Sequence, residues 1–214
     1  MVSRRSFLAG SAAAFTAGPV LAQVTPPDRP APLQLDVTPE ATAPLGINLP
    51  PDMEGDYLIP EEYRAKIVPI QPGIPANQIH IVPQNYHLYF TLPDGVAIRY
   101  GVAVGQEGLG WSGSARIQRK VEWPSWRPTD EMIERNPSAY AQYADGMPGG
   151  PTNPLGARAL YLFQGERDTA IRIHGTTQPA SIGRSASNGC FRMYNSHVID
   201  LYNRVPLGTA AFAY

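Results

Sequence analysis

The chain of 214 residues carries one cysteine, Cys190, and four histidines. A lone thiol excludes a disulfide within the chain, and scattered histidines do not supply the clustered ligands that a zinc ion needs. No metal is expected. Charge is scarce as well: charged residues make up 16% and the formal net charge is -1, so there is no basic field to hold a nucleic acid. No nucleic-acid partner is expected. The glycine-rich run from Gly105 to Gly113 has no Gly-Lys-Ser/Thr and so lacks the lysine and metal-binding hydroxyl of a phosphate loop. It reads as a loop between strands. Gly-x-Ser-x-Gly is also missing, which argues against a serine hydrolase despite Gly110-Trp111-Ser112-Gly113. What the chain has in quantity is Pro 23 and Gly 20, a balance that suits turns and irregular segments better than a helical bundle.

The length suits one domain preceded by a leader. Ser3-Arg4-Arg5-Ser6-Phe7-Leu8 is a twin-arginine pattern, followed by small apolar residues from Ala9 to Ala17 and a cleavage-like Val20-Leu21-Ala22. The apolar run is shorter than the roughly 20 residues of a spanning helix. Residues 1–22 therefore read as a removable signal peptide that exports the chain to the periplasm, the alternative being an uncleaved anchor. Residues 23–77 hold about half of the prolines and read as a tether or an arm wrapped along the domain. Within them Glu61 to Val68 suits a short helix or a lead-in strand.

From Gln78 the pattern becomes that of strands. Ile79, Ile81, Leu88 and Phe90 alternate with polar neighbours, Pro93-Asp94-Gly95 makes a turn, and Ala97 to Val104 continues a hairpin. His80 and His87 on these strands are expected to be structural. Ala115 to Val121 is another strand, with its basic residues on one face. Thr129 is placed to cap a short helix that Asn136-Pro137 ends. The long Gly- and Pro-rich insertion reaching Pro154 suits a lid or binding loop, where Trp123, Trp126, Tyr140 and Tyr143 either line a groove or pack as core. Leu160–Phe163 and Ala170–His174 form a second strand pair. Asn195 or Ser196 is placed to cap a last helix with Val198, Leu201, Tyr202 and Val205 on its apolar face and His197 toward solvent. A final strand covers Thr209 to Tyr214.

Chemistry concentrates between Ile171 and Met193. An exported cysteine with no partner in its own chain is buried and inert, paired between chains, or a reactive thiol. Its surroundings favour the third. Ile171 and Ile173 alternate with Arg172 and His174, so His174 ends a half-buried strand and is available as a base for Cys190. Gly189 permits a tight turn that brings amide N–H groups toward a substrate carbonyl. Arg192, two residues past Cys190, shares its face in an extended segment and can grip a carboxylate.

His174-Gly175 followed by Ser187-Asn188-Gly189-Cys190-Phe191-Arg192-Met193 resembles the signature of the L,D-transpeptidase catalytic domain, the YkuD or ErfK/YbiS/YcfS/YnhG family. The likeness continues through Arg119–Trp126, Gly146–Gly150 and Asn153–Tyr161 and covers roughly 78–214, the expected catalytic domain. Many members carry His where this chain has Asn188. The resemblance implies a mainly β fold, a β-sandwich or open barrel of mixed sheets with a few short helices, behind the Pro-rich arm. It implies that Cys190 attacks a peptidoglycan stem peptide, that D-alanine leaves, and that an amine of another stem or of a wall-linked lipoprotein resolves the thioester. It assigns His174 as base with Gly175 orienting it, and Arg192, Gly189 and Asn188 as substrate-binding positions. No cofactor is needed, and a monomer is expected. A hydrolase using the same thioester, or a wall-binding module without turnover, are the alternatives.

Overall fold

The computed structural model describes residues 46–214. The expected leader, 1–22, and residues 23–45 of the expected arm lie outside the described residues. In chain order the strands are β1 (Met53–Glu54), β2 (Tyr57–Leu58), β3 (Lys66–Pro69), β4 (Gln78–Val82), β5 (His87–Thr91), β6 (Val96–Gly101), β7 (Val104–Gly105) and β8 (Gly113–Glu122). Helices α1 (Asp130–Arg135) and α2 (Pro137–Tyr140) follow, then β9 (Arg158–Gln164), β10 (Arg167–His174), β11 (Ser185–Ser187), β12 (Phe191–Arg192), α3 (Asn195–Arg204) and β13 (Ala210–Ala213). The protein is mainly β with mixed sheets and few short helices, as expected.

Nine strands make one sheet in the order β12-β10-β9-β8-β13-β4-β5-β6-β3. Only the β10/β12 and β13/β4 pairs are parallel in it. The last strand thus inserts between β8 and β4, which joins the N-terminal hairpins to the strands that carry the site. β7 pairs with β11, and β1 with β2, outside this sheet. The core is continuous: Ile79, Ile81, Leu88, Phe90, Ile98, Ile117, Leu160, Leu162, Ile173 and Phe191 pack with Val198, Leu201 and Val205 of α3. Every second residue of these strands is apolar, which is why each presents one face to that core.

Residues 46–77 lie against the domain. Glu61–Tyr63 is a single 3-10 turn and β3 is the edge strand of the large sheet. Ahead of them, Ile59 is fully buried with Ala103, Ile182 and Tyr194, flanked by Tyr57 and Tyr63. Two expectations about α3 are corrected. His197 does not face solvent: it is fully buried between the rings of Tyr100 and Tyr194, 5.7 and 5.1 Å away between centroids. Nor does Asn195 or Ser196 cap the helix. Tyr194 precedes it without a side-chain cap, and the Ser196 N–H donates to Glu54 Oε2 at 2.9 Å. A carboxylate at a helix N-terminus does the same work, but here it comes from a residue 142 positions away.

A third correction concerns β8. Its register shifts between Ile117 and Arg119, so its basic residues do not share one face. Lys120 turns toward the end of α3 and donates to the Tyr202 and Val205 carbonyls at 2.5 and 2.7 Å, satisfying acceptors that a helix end leaves open. Arg119 instead lies over the Tyr161 ring. Thr129 caps α1 as anticipated, its hydroxyl accepting from the Met132 N–H at 3.2 Å. Asn136 ends α1 and starts α2.

Burial holds His80, His174 and His197 near a pKa of about 4, against about 6.5 in an unfolded chain. Between those values the unfolded chain binds more protons, so the stabilisation is complete above pH 6.5 and is lost as pH falls toward 4. Each buried histidine contributes at most about 3 kcal/mol to that loss. Both ring nitrogens of His197 are buried without a hydrogen-bond partner. His197→Phe is therefore expected to hold or raise the urea midpoint at pH 7 and to flatten its decline between pH 6.5 and 4.5. A decline as steep as that of the parent would contradict the buried, neutral state of His197.

Candidate active site

The site is assembled by a short parallel pairing. His174 stands opposite Arg192 and Ile173 opposite Phe191 across β10 and β12. Ile173 and Phe191 point into the core, 0% and 1% exposed. By alternation, Arg172 and His174 of β10, and Cys190 and Arg192 flanking Phe191, take the other face. All four line a cleft of about 790 Å³, together with Asn188. Its far wall is the insertion between β8 and β9, through Trp126, Tyr140 and Tyr143. The aromatic residues divide: those three line the groove, packed edge to face on Trp126, while Trp123 is exposed outside it.

His174 is 5% exposed and its Nδ1–H donates to the Gly175 carbonyl at 2.6 Å. That bond assigns the tautomer and leaves Nε2 as the basic nitrogen. Gly175 is required by close approach. A Cβ there would lie 2.2 Å from Asn195 Oδ1. Asn195 fills this space because its side chain ties segments together, accepting from the Ala157 N–H and donating to the Thr176 carbonyl, at 2.9 and 2.8 Å. Burial lowers the His174 pKa to about 4, against the pull of the Gly175 and Leu155 carbonyls. At neutral pH the imidazole is uncharged.

Cys190 follows a turn built by Ser187. The Ser187 hydroxyl donates to the Cys190 carbonyl and accepts the Gly189 N–H at 3.2 Å. Gly189 has φ +118, a backbone state that side chains disfavour. Its own N–H is thus occupied inside the turn. Asn188 leans to the insertion, accepting from Arg135 Nη2 at 2.7 Å and donating to the Tyr140 hydroxyl at 3.2 Å. Cys190 is partly exposed. Enclosure of its sulfur pushes the thiol pKa up, opposed by the Arg172 N–H and by the charges of Arg172 and Arg192. Arg192 donates to the Gln178 side-chain oxygen at 3.3 Å and meets no carboxylate among the described residues.

Cys190, His174, Gly175, Arg192, Gly189 and Asn188 therefore meet at one cleft or the turn beside it, whereas His80 and His87 do not reach it. His80 bonds Tyr214 and Gln78, and His87 the Glu62 carbonyl. Sequence reasoning missed Ser187 as the clip of the turn, Asn195 as a tie and Arg135 on the insertion. A hydroxyl three residues before the cysteine was a usable turn signal; the other two depend on segments distant in sequence. Among the described residues no group of three or more His, Cys, Asp or Glu is placed to hold a metal ion.

The family model of the L,D-transpeptidase catalytic domain, YkuD, matches residues 76–212. YqjB of Bacillus subtilis, which carries an L,D-transpeptidase name, is 44% identical over 140 residues, covering 64% of this chain and 70% of that protein. A Fuscovulum blasticum protein with the same kind of name is 42% identical over 99 residues, 45% of this chain and 47% of its own length. The chain thus spans less than half of that relative. A crystal structure from Brucella melitensis is 53% identical with a TM-score of 0.51, covering 73% of this chain and 97% of that one. It is described as a probable carnitine operon oxidoreductase, and that description stays with that protein. The family model covers well over half of this chain's residues, and the chain belongs to the L,D-transpeptidase catalytic domain family, YkuD.

Proposed function

We propose that the protein is a cysteine acyltransferase acting on peptidoglycan stem peptides, with Cys190 as nucleophile and His174 as base. The observation that carries this reading is the shared cleft: a thiol, a neutral imidazole held by the Gly175 carbonyl, and an arginine without a carboxylate partner among the described residues line it together. His174 Nε2 takes the thiol proton as Sγ attacks the carbonyl between the diamino-acid L-centre and D-alanine. The C–N bond breaks, the same proton passes to the leaving D-alanine nitrogen, and a thioester remains. An acceptor amine then attacks the thioester; His174 removes its proton and returns it to the sulfur. Because the Gly189 N–H is occupied, the Cys190 amide is the oxyanion donor in this scheme. Arg192 binds a stem carboxylate as a bidentate partner. The acceptor is another stem or a wall-linked lipoprotein.

Thiol and imidazole both rest uncharged, so this is general-base chemistry rather than attack by a standing thiolate. Export to the periplasm by the twin-arginine route, a Pro-rich arm ahead of a catalytic domain from 78, and a monomeric state belong to the same proposal. No helix among the described residues is long and apolar enough to cross a membrane.

Cys190→Ala is expected to abolish D-alanine release from a purified tetrapeptide stem while circular dichroism stays that of the parent. A carbapenem should add its mass to the parent and not to this variant. Unchanged turnover in the variant would end the enzyme reading. Product masses with and without an added D-amino acid separate transfer from hydrolysis, tripeptide alone in both samples favouring hydrolysis.

Activity is lost when His174 gains a proton, so kcat/KM should stay level from pH 7 to about 5 and fall as pH passes through about 4. The rates are to be taken before acid unfolding sets in, with the fold followed in parallel. An acid limb centred near 6.5, the value of a free imidazole, would rule out a buried neutral base.

A further inference from the structure

The stretch of β10 before His174 is irregular in a way the proposed reaction does not account for. Four residue steps on β10, from Asp168 to Arg172, lie opposite only two on β9, from Phe163 to Tyr161. β10 therefore carries two extra residues, and such a bulge bends a strand and re-aims the groups on it. Ala170 sits in it at φ +60, a left-handed state that alanine keeps only when its surroundings hold it there.

Asp168 does the holding. Its Oδ1 accepts the Ala170 N–H at 2.8 Å, and its two oxygens accept both Arg172 terminal nitrogens at 2.6 and 2.9 Å. Thr169 closes the rest, its hydroxyl donating to the Leu162 carbonyl at 2.7 Å and accepting the Ile171 N–H at 3.2 Å. The Arg172 guanidinium also lies 4.1 Å from the centre of the Tyr161 ring, which Arg119 approaches at 4.7 Å. The consequence falls at the nucleophile. The Ala170 carbonyl stands 3.7 Å from Cys190 Sγ and accepts from its thiol, and Arg172 lines the cleft beside it.

We infer that Asp168 is a positioning residue for Cys190: it closes the bulge that presents the Ala170 carbonyl to the sulfur, and it neutralises the arginine standing next to that sulfur. The inference rests on the reading of Cys190 as nucleophile. An acceptor carbonyl favours the protonated thiol, while an unpaired guanidinium favours the thiolate. Charged groups facing the sulfur are Arg172 and Arg192 on one side of the balance and Asp168 on the other, with His174 neutral. Burial pushes the Asp168 carboxyl up, but the Arg172 and Ala170 hydrogen bonds outweigh it and keep it ionised. With Asp168 in place, two arginines adjoin a thiol that stays protonated until His174 takes the proton.

Cys190 is the only thiol in the chain, so the pH dependence of its alkylation by iodoacetamide reads this group without any substrate. Asp168→Asn removes the negative charge and loosens the carbonyl contact; the midpoint is expected to fall by about half a pH unit or more. Arg172→Gln removes the cation and should move it up by a similar amount. Ala170→Gly accepts φ +60 without strain and should keep the midpoint of the parent with no loss of melting temperature. A pair with only a structural role would lower melting temperatures and leave both midpoints where the parent has them. That result, or shifts of the same sign in the two variants, overturns the inference. Should Asp168→Asn not fold, the upward shift in Arg172→Gln decides alone. A parent protein that shows these shifts yet releases no D-alanine would sink the transpeptidation reading and leave this one standing.

Discussion

The pairing of β12 with β10 is the constraint on which the site depends, and it is only two residues long. Because side chains alternate, a slip of one position would drive Cys190 and Arg192 into the core and turn Phe191 out. Several anchors prevent that slip. Phe191 and Met193 are buried in the core, Arg192 exchanges both backbone bonds with Ala103 at 3.0 and 2.9 Å, and the Met193 N–H donates to the His174 carbonyl at 2.8 Å. Apolar packing on one face thus sets which polar groups meet on the other.

The electrostatics follow from that enclosure. Charging either a buried imidazole or an enclosed thiol loses hydration, so both rest neutral. Two arginines nearby do not reverse this: Arg172 is matched by Asp168, and Arg192 lies at the cleft wall, donating to the Gln178 side-chain oxygen. In the proposed reaction, proton movement then belongs to the act of attack, and the groups proposed to shape it are backbone carbonyls on a bulge and after a strand end. The same geometry explains why Asn195 is a tie rather than a helix cap. Its amide holds 157 and 176 together around the His174-Gly175 corner, and Glu54 caps the helix in its place.

Much of the architecture was legible because it is local. Alternation marked β4, β5, β6, β9 and β10, Pro93-Asp94-Gly95 marked a turn, and Thr129 marked the start of α1. The features misjudged were those where a distant segment intervenes. His197 fell off the apolar stripe of α3 and so read as exposed, yet the rings of Tyr100, from a distant strand, and Tyr194 enclose it. Lys120 read as one of a basic row until a register shift turned it to the end of α3. Gly189 was rightly placed in a tight turn, but the Ser187 hydroxyl that takes its N–H was not foreseen.

The sequence by itself determined the mainly β character, the family and the pair of short segments that hold thiol and imidazole, since each is written in neighbouring residues whose spacing maps onto strand and turn geometry. Only the tertiary structure decided that these segments lie side by side, that the aromatics of the insertion divide between groove and surface, and that Asp168 and Arg172 close the bulge whose Ala170 carbonyl meets the sulfur. Strand register, burial and the bulge at Ala170 arise from contacts between residues far apart in the chain, and the free energies that set them appear only once the core is packed.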